Sequence, residues 1–346
     1  MPHSPQTRRP TSLDVARLAG VSHTTVSFVV NDVTSAGISE ATRERVLEAI
    51  AQLDYHPHEA ARSLRSKASR MLGIAIPEYN PHHLEIATGA ERYAQAHGYN
   101  TSLFKTDFTL AKELQCLQWL KQRRYDALIL SPGTGSQVTG ELHMLAKQGY
   151  PITVIGIHDR VLDGVGFQKI TGEQQVIQHL ADLGHRDIGY IYGVADQEIF
   201  GGRLDHCLQA QRVLGIPVNE SWIWRCGPTV QESYAATQLM LAQTTAAQRP
   251  TALIVVNDEL ARAVIAVLYA ADIAVPNNMS IVSFDNTQLA PLTIPPLTTV
   301  DCEAVHMGEE AARITIARLN ESETPHTYIE TKASLIVRAS TAPPLR

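Results

Sequence analysis

The sequence predicts an α/β protein carrying a small helical head at its N-terminal side. Three observations support this. Residues 11–31, TSLDVARLAGVSHTTVSFVVN, have the pattern of two short helices joined by a tight turn. From Met71 onward, short apolar runs alternate with amphipathic helical stretches, the rhythm of a parallel sheet covered on both faces. At 346 residues the chain is long enough for two or three domains, and its body for two such sheets.

In the head, Thr11 with Asp14 has the form of a capping box, and Leu13, Val15, Ala16 and Ala19 mark an apolar face on the helix it opens. Gly20 supplies the turn. Ser22 caps the second helix, with Val26, Val29 and Val30 turned inward and His23, Thr24, Ser27 and Phe28 turned outward. A helix-turn-helix with such a small, polar outer face fits a DNA major groove; taken alone, the stretch also reads as an ordinary helical hairpin. A third helix follows Ser39, with Val46, Ile50 and Leu53 on one face, and breaks at Tyr55-His56-Pro57. Residues 58–69, HEAARSLRSKAS, hold helix formers but almost no apolar face beyond Leu64, so a helix there is expected to order on a partner.

In the body the apolar runs are 72–77, 101–104, 127–130, 152–157, 188–193, 253–256 and 280–284, with helices such as Leu84–His97 and Leu110–Gln122 between them. Ligands of these folds bind beyond the carboxyl ends of strands. That nominates Glu78, Asn80, Lys105, Asp107, Ser131, His158, Asp159, Asn257, Asp258, Asp285 and Asn286.

Charge and composition narrow the function. The net charge is −6, yet residues 1–72 hold nine Lys/Arg against seven Asp/Glu, leaving 20 against 28 in the rest. A mildly basic head on an acidic body suits nucleic acid at one end. Arg62, Arg65, Lys67 and Arg70 crowd the end of that head. The four cysteines, Cys116, Cys207, Cys226 and Cys302, are scattered without a CxxC pair, so no disulfide framework or zinc site is expected, and the expected compartment is a reducing cytoplasm. No run approaches a membrane span, and the N-terminus lacks the apolar core of a signal peptide. The fourteen histidines show no metal-ligand spacing, and GVG at 164–166 lacks the third glycine of a dinucleotide fingerprint. No metal and no cofactor are expected. An α/β enzyme or a secreted solute-binding protein would use the same body, but neither accounts for the first 70 residues.

Several segments together resemble the lactose-repressor (LacI/GalR) family of bacterial transcription regulators. They are DVARLAGVSHTTVSFVVN, ISEATRERVLEAIAQLDYHP, AARSLRSKASRMLGIAIP, HLADLGHRDIGYI, VVNDELARAV, AVPNNMSIVSFDN, PPLTTV and LIVRAST, in the family's order from about Thr11 to Thr341. The resemblance implies a head over 1–57, a hinge helix or linker over 58–70, and a two-lobed, periplasmic-binding-protein-like body over 71–346 that binds an effector and dimerises. Its first lobe would take about 71–163 and 299–327, its second about 164–298 and 328–342.

The same resemblance implies double-stranded operator DNA, a small-molecule effector and a second copy of the chain as partners. His23, Thr24 and Phe28 would read bases, and Ser22, Thr25, Ser27 and Asn31 would serve phosphates or capping. Phe28 replaces a hydrogen-bonding residue common in relatives and can pack on a thymine methyl. Leu64 would wedge into the minor groove at the operator centre, flanked by Arg62 and Arg65. Arg203, Asn257 and Asp285 would face the effector, joined by Asn80 and Ser131 from the strand ends, with Asp159 standing in for an acid replaced by Gly156 if its loop bends inward. Gln168-Lys169, His82-His83 and Thr229 also depart from the family's pattern, tilting the cleft toward basic and imidazole groups and away from a plain hexose. The end of the chain soon after LIVRAST favours a dimer over a tetramer.

Overall fold

The computed structural model describes residues 10–30, 36–55, 69–193, 202–321 and 324–345. Two compact units divide between Ser69 and Arg70.

The head is three helices, α1 (Ser12–Ala19), α2 (His23–Val30) and α3 (Glu40–Gln52). The capping box forms as predicted: Asp14 accepts from the Thr11 backbone N–H at 2.9 Å, and the Thr11 hydroxyl accepts from the Asp14 N–H at 3.4 Å. Gly20 ends α1 at φ 66°, a left-handed conformation that costs glycine little. Val15, Ala16, Ala19, Val26, Val29, Val46 and Ala49 make the core, with Val30, Ile50 and Leu53 partly buried against it. Two expectations change. Leu13 is 60% exposed, because the inner face of so short a helix is filled by Val15, Ala16 and Ala19. Ser39 sits at the start of α3, but its hydroxyl bonds the Thr42 hydroxyl at 2.9 Å instead of capping a backbone N–H.

The body holds two six-stranded sheets. In the first, β1 (Met71–Ile76), β2 (Asn100–Lys105), β3 (Ala127–Leu130), β4 (Ile152–Ile155), β5 (Asp163–Phe167) and β11 (Tyr328–Thr331) run in the order β11-β5-β4-β3-β1-β2, all parallel. The second orders β12 (Ser334–Ile336), β10 (Thr298–Asp301), β9 (Ser280–Asp285), β8 (Ala252–Val255), β6 (Ile188–Gly193) and β7 (Ile223–Cys226). Only β12, paired with β10, is antiparallel there. The helices are α4 (Pro81–Ala96), α5 (Leu110–Lys121), α6 (Thr139–Lys147), α7 (Lys169–Asp182), α8 (Arg203–Val213), α9 (Val230–Gln243), α10 (Asp258–Ala270) and α11 (Ala304–Asn320).

The chain crosses between sheets after β5, after β10 and between β11 and β12. The lobe limits expected from sequence therefore shift. Asp163–Phe167 and Tyr328–Thr331 pair in the first sheet, and Thr298–Asp301 pairs in the second. GVG at 164–166 is the middle of β5, and its glycines have a steric reason. A Cβ on Gly164 would meet the Tyr328 ring at 2.8 Å, and one on Gly166 would overlap the Tyr328 hydroxyl. The four cysteines are buried and form no disulfide.

Helices α4 and α11 approach each other closely. A Cβ on Gly89 would fall on the Val305 carbonyl oxygen, and one on Gly308 on that of Ile86. Both collisions are with backbone, which cannot swing aside like a side chain. Gly89→Ala and Gly308→Ala should each lower stability by about 1–3 kcal/mol or more, the cost of overpacking. Urea unfolding followed by circular dichroism reads this, and an unshifted midpoint would refute the close approach.

Candidate functional site

Ser22 begins the second helix of the head with its Oγ accepting from the Thr25 N–H at 3.1 Å and bonded to the Thr25 hydroxyl at 2.9 Å. His23, Thr24 and Phe28 are exposed, while Thr25 and Ser27 are half-buried. The His23 ring bonds the Ser12 hydroxyl at 2.8 Å, which ties the start of α2 to the start of α1. His23, Thr24 and Phe28 thus lie outside the Val26–Val29 stripe that faces the core. Asn31, Arg62, Leu64 and Arg65 lie outside the described residues.

In the body, Asn80, Ser131, Arg203, Asn257 and Asp285 line one cleft at the carboxyl ends of the strands, where doubly wound sheets bind ligands. Two of them also act as caps. Asn80 Oδ1 accepts from the His83 N–H at 2.8 Å and bonds the His83 ring, with Pro81 at the first helical position. Asn257 Oδ1 accepts from the Leu260 N–H at 2.9 Å, starting α10. Asp159 does not join them. Its carboxylate bonds His143 Nε2 at 2.7 Å and accepts from the Val161 N–H at 2.8 Å, so the turn after β4 closes on itself instead of bending into the cleft.

Arg203 is buried at the start of α8. Its Nη1 donates to the Val256 carbonyl at 2.6 Å, its guanidinium lies 4.2 Å from the Phe284 ring centroid, and its Nε is 3.5 Å from Glu173 Oε1. Burial disfavours the charge, but Tyr192, Asp285 and Glu173 outweigh it and raise the pKa further. Burial pushes Glu173 up to about 7 and Asp285 up to about 6, in each case against the pull of Arg203.

Asp285 ends β9 at φ 102°, a conformation unusual outside glycine. Buried Asp258 holds the turn in place. It accepts from Ser283 Oγ at 2.5 Å, Thr299 Oγ1 at 2.7 Å and the Thr287 N–H at 2.8 Å. Sequence reasoning nominated Asp258 as a strand-end residue facing a ligand, not as this clamp, and missed Glu173. The signal for Glu173 was its place on the inward stripe of α7 with Val176, Ile177 and Leu180.

His82 and His83 also line the cleft, but burial lowers their pKa values to about 4 and 3. Both rings are neutral at pH 7 and supply hydrogen-bonding groups without charge. The basic character expected from sequence therefore rests on Arg203 and Lys169. Among the described residues, no group of His, Cys, Asp and Glu is placed to hold a metal, and no helix is long and apolar enough to cross a membrane.

Comparison with known proteins assigns this architecture. Residues 11–58 match the model of bacterial regulatory proteins of the lacI family, and residues 177–341 match a periplasmic binding protein-like domain. The transcriptional repressor PurR of Photobacterium profundum is 31% identical over 94% of this chain and 97% of its own length. The transcriptional regulator DegA of Bacillus subtilis is 32% identical over 96% and 98%. The chain belongs to the LacI family of bacterial regulatory proteins. Among solved structures, the lac repressor dimer bound to operator and the anti-inducer ONPF matches in fold with a TM-score of 0.84 at 23% identity, covering 97% of this chain and all of that one. The complex of the regulator CelR with cellobiose gives 0.70 at 26%, covering 96% of this chain and all of that one.

The buried acids of this LacI-family cleft have a measurable consequence. With its pKa raised from 4.5 to about 7, Glu173 holds a proton in the folded state that the unfolded state has released. Its stabilising contribution is whole below about pH 4.5 and declines as pH rises toward 7. Glu173→Gln should remove that decline. The stability of the variant relative to wild type should rise between pH 5 and 7, by on the order of 3 kcal/mol for a fully expressed shift. Urea unfolding at each pH gives the difference, and a flat difference would refute the assignment.

Proposed function

We propose that the chain is a homodimeric, cytoplasmic repressor that binds a pseudo-palindromic operator and changes its affinity when a small molecule enters the interlobe cleft. One observation carries this reading. A single chain joins a helix-turn-helix head, with His23, Thr24 and Phe28 exposed on its second helix, to a body whose cleft holds a buried, hydrogen-bonded arginine beside two carboxyls. PurR of Photobacterium profundum, named a repressor, and the operator-bound lac repressor dimer support repression and pairing. The relatives are regulators, which favours control of transcription over catalysis.

In this mechanism each α2 lies in a major groove. His23, Thr24 and Phe28 meet base edges, with Phe28 on a thymine methyl, and Ser22, Thr25, Ser27 and Asn31 meet phosphates or cap the helix. Residues 58–66 of both copies would order on the operator and place Leu64 in the minor groove, with Arg62 and Arg65 beside it. Unstacking one base step costs a few kcal/mol, offset by the closer fit of the bent duplex. In the cleft, Asp285 accepts hydrogen bonds and Arg203 donates them, with Asn80, Ser131 and Asn257 beside them in the lining.

The reading is tested by selecting operators from a random duplex library with the full chain and measuring affinity by gel shift. The enriched sites should be pseudo-palindromes, and a failure to enrich any sequence would refute the function. On the selected site, Leu64→Ala should lose tenfold or more in affinity, roughly 1.4 kcal/mol, together with DNA bending. Unchanged affinity and bending would remove the wedge. Phe28→Ala should relax selectivity at one position of each half-site by about 1–3 kcal/mol. Selection repeated with the variant reads this, and an unaltered consensus would take Phe28 off the base edges.

A further inference from the structure

Lys169 stands apart from the other charges of the cleft. Its Nζ donates to the Gly156 carbonyl at 2.8 Å, and among the described residues no carboxylate lies within ion-pair distance of it. Arg203, by contrast, has Glu173 at 3.5 Å. The two cations flank one aromatic ring, Lys169 Nζ at 6.0 Å and Arg203 Cζ at 5.6 Å from the Phe167 centroid. Gly156 sits at φ 81°, and no atom of the described residues lies within 4 Å of where its Cβ would project.

Lys169 and Phe167 also line a second, outer pocket of about 480 Å³ that adjoins the closed cleft of about 70 Å³. His206 lines that pocket too, and its buried Nδ1 has no hydrogen-bond partner among the described residues. Exposed Glu330 is the acid on its rim. The basic groups feel one another. Beyond burial, the largest influence on Lys169 is repulsion by Arg203, ahead of the attraction of Glu173 and Glu330, and on His206 it is repulsion by Lys169, ahead of the attraction of Asp205. An ammonium with one protein acceptor, next to a second cation and lining a pocket, is a site for a negatively charged group. The closed part has room for only a few waters, which limits the portion of ligand it encloses.

Resting on the regulator reading above, we infer that the effector is a compact, polyhydroxylated anion. Its hydroxyls meet Asp285 and Arg203 in the closed cleft, and its carboxylate or phosphate meets Lys169 where the cleft opens to the outer pocket.

The test uses the full chain with hexuronates, aldonates and hexose phosphates, each paired with its neutral parent sugar. Binding is followed by thermal shift and by operator gel shift. At least one acid should bind about tenfold or more tighter than its parent and change operator affinity, and the preferred headgroup tells carboxylate from phosphate. Lys169→Met should bring acid and parent to equal affinity, while Lys169→Arg should keep part of the preference, which separates lost charge from lost fold. Equal binding of parent and acid in wild type, an undiminished preference in Lys169→Met, or no acid binding at about ten millimolar would each overturn the inference. A neutral sugar that shifts operator affinity would overturn the anion and leave the regulator standing. Failure to bind any operator would instead defeat the regulator.

Discussion

Arg203 is a full charge placed where the two lobes of the body meet. Phe167 from the first sheet and Phe284 from the second both lie against its guanidinium. An ion taken so far from water is tolerable only with counter-charges and acceptors, because leaving it unpaired costs several kcal/mol. The neighbourhood supplies them: the Val256 carbonyl, Glu173, and Asp285 at the end of β9. Asp285 in turn needs the Asp258 clamp to hold its left-handed turn. The cation thus accounts for polar residues on three elements, α7, β9 and α10, that would otherwise be misplaced in an apolar junction.

That arrangement also sets what a ligand meets. Two carboxyls share one guanidinium, and both are pushed toward their neutral forms by burial. The guanidinium charge therefore has two acids beside it, and the imidazoles of the cleft add no charge. Among the described residues, Lys169 is a cation of the cleft with no carboxylate within ion-pair distance. A ligand can shift a two-state regulator only by the difference between its affinities for the two states. Groups already satisfied within one lobe, such as the capping oxygens of Asn80 and Asn257, offer little such difference through those atoms. Groups whose partners come from the other side of the cleft offer more.

Much of this was legible from residue order alone, and the failures have physical causes. Strands with strong apolar runs, such as ALIL at 127–130, were read to the residue, because a parallel strand buried on both faces has little choice of composition. IWRC, with Arg225 exposed between buried Trp224 and Cys226, is an edge strand and has no such run. DGVGF hid β5, since its two glycines accommodate the Tyr328 ring and lower the strand signal. The lobe limits slipped because β5, β10 and β11 are the strands next to the crossings. In the head, capping chemistry was readable at Thr11 and Gly20 because a local sequence suffices for it. In the cleft, strand ends gave Asn80, Ser131, Asn257 and Asp285, but adjacency to a strand does not fix where a side chain turns, and Asp159 turned to His143.

The crossings themselves are stitched together by side chains. Thr331 Oγ1 donates to the Cys302 carbonyl at 2.9 Å, joining the segment after β10 to the end of β11. Gln175 on α7 donates to the Ala333 carbonyl at 3.2 Å and accepts from the Leu335 N–H at 2.7 Å. The Glu303 carboxylate accepts from the Lys332 N–H at 3.1 Å. Three connections fixed to one another in this way leave few ways for the lobes to move other than about the stitched segments. Lys169 is the first helical residue beyond the first crossing, and its ammonium reaches back to Gly156, beyond the end of β4 in the other lobe. A negative group drawn to that ammonium competes with an interlobe hydrogen bond at the base of the crossing, where a small displacement has the longest lever on the far ends of both lobes.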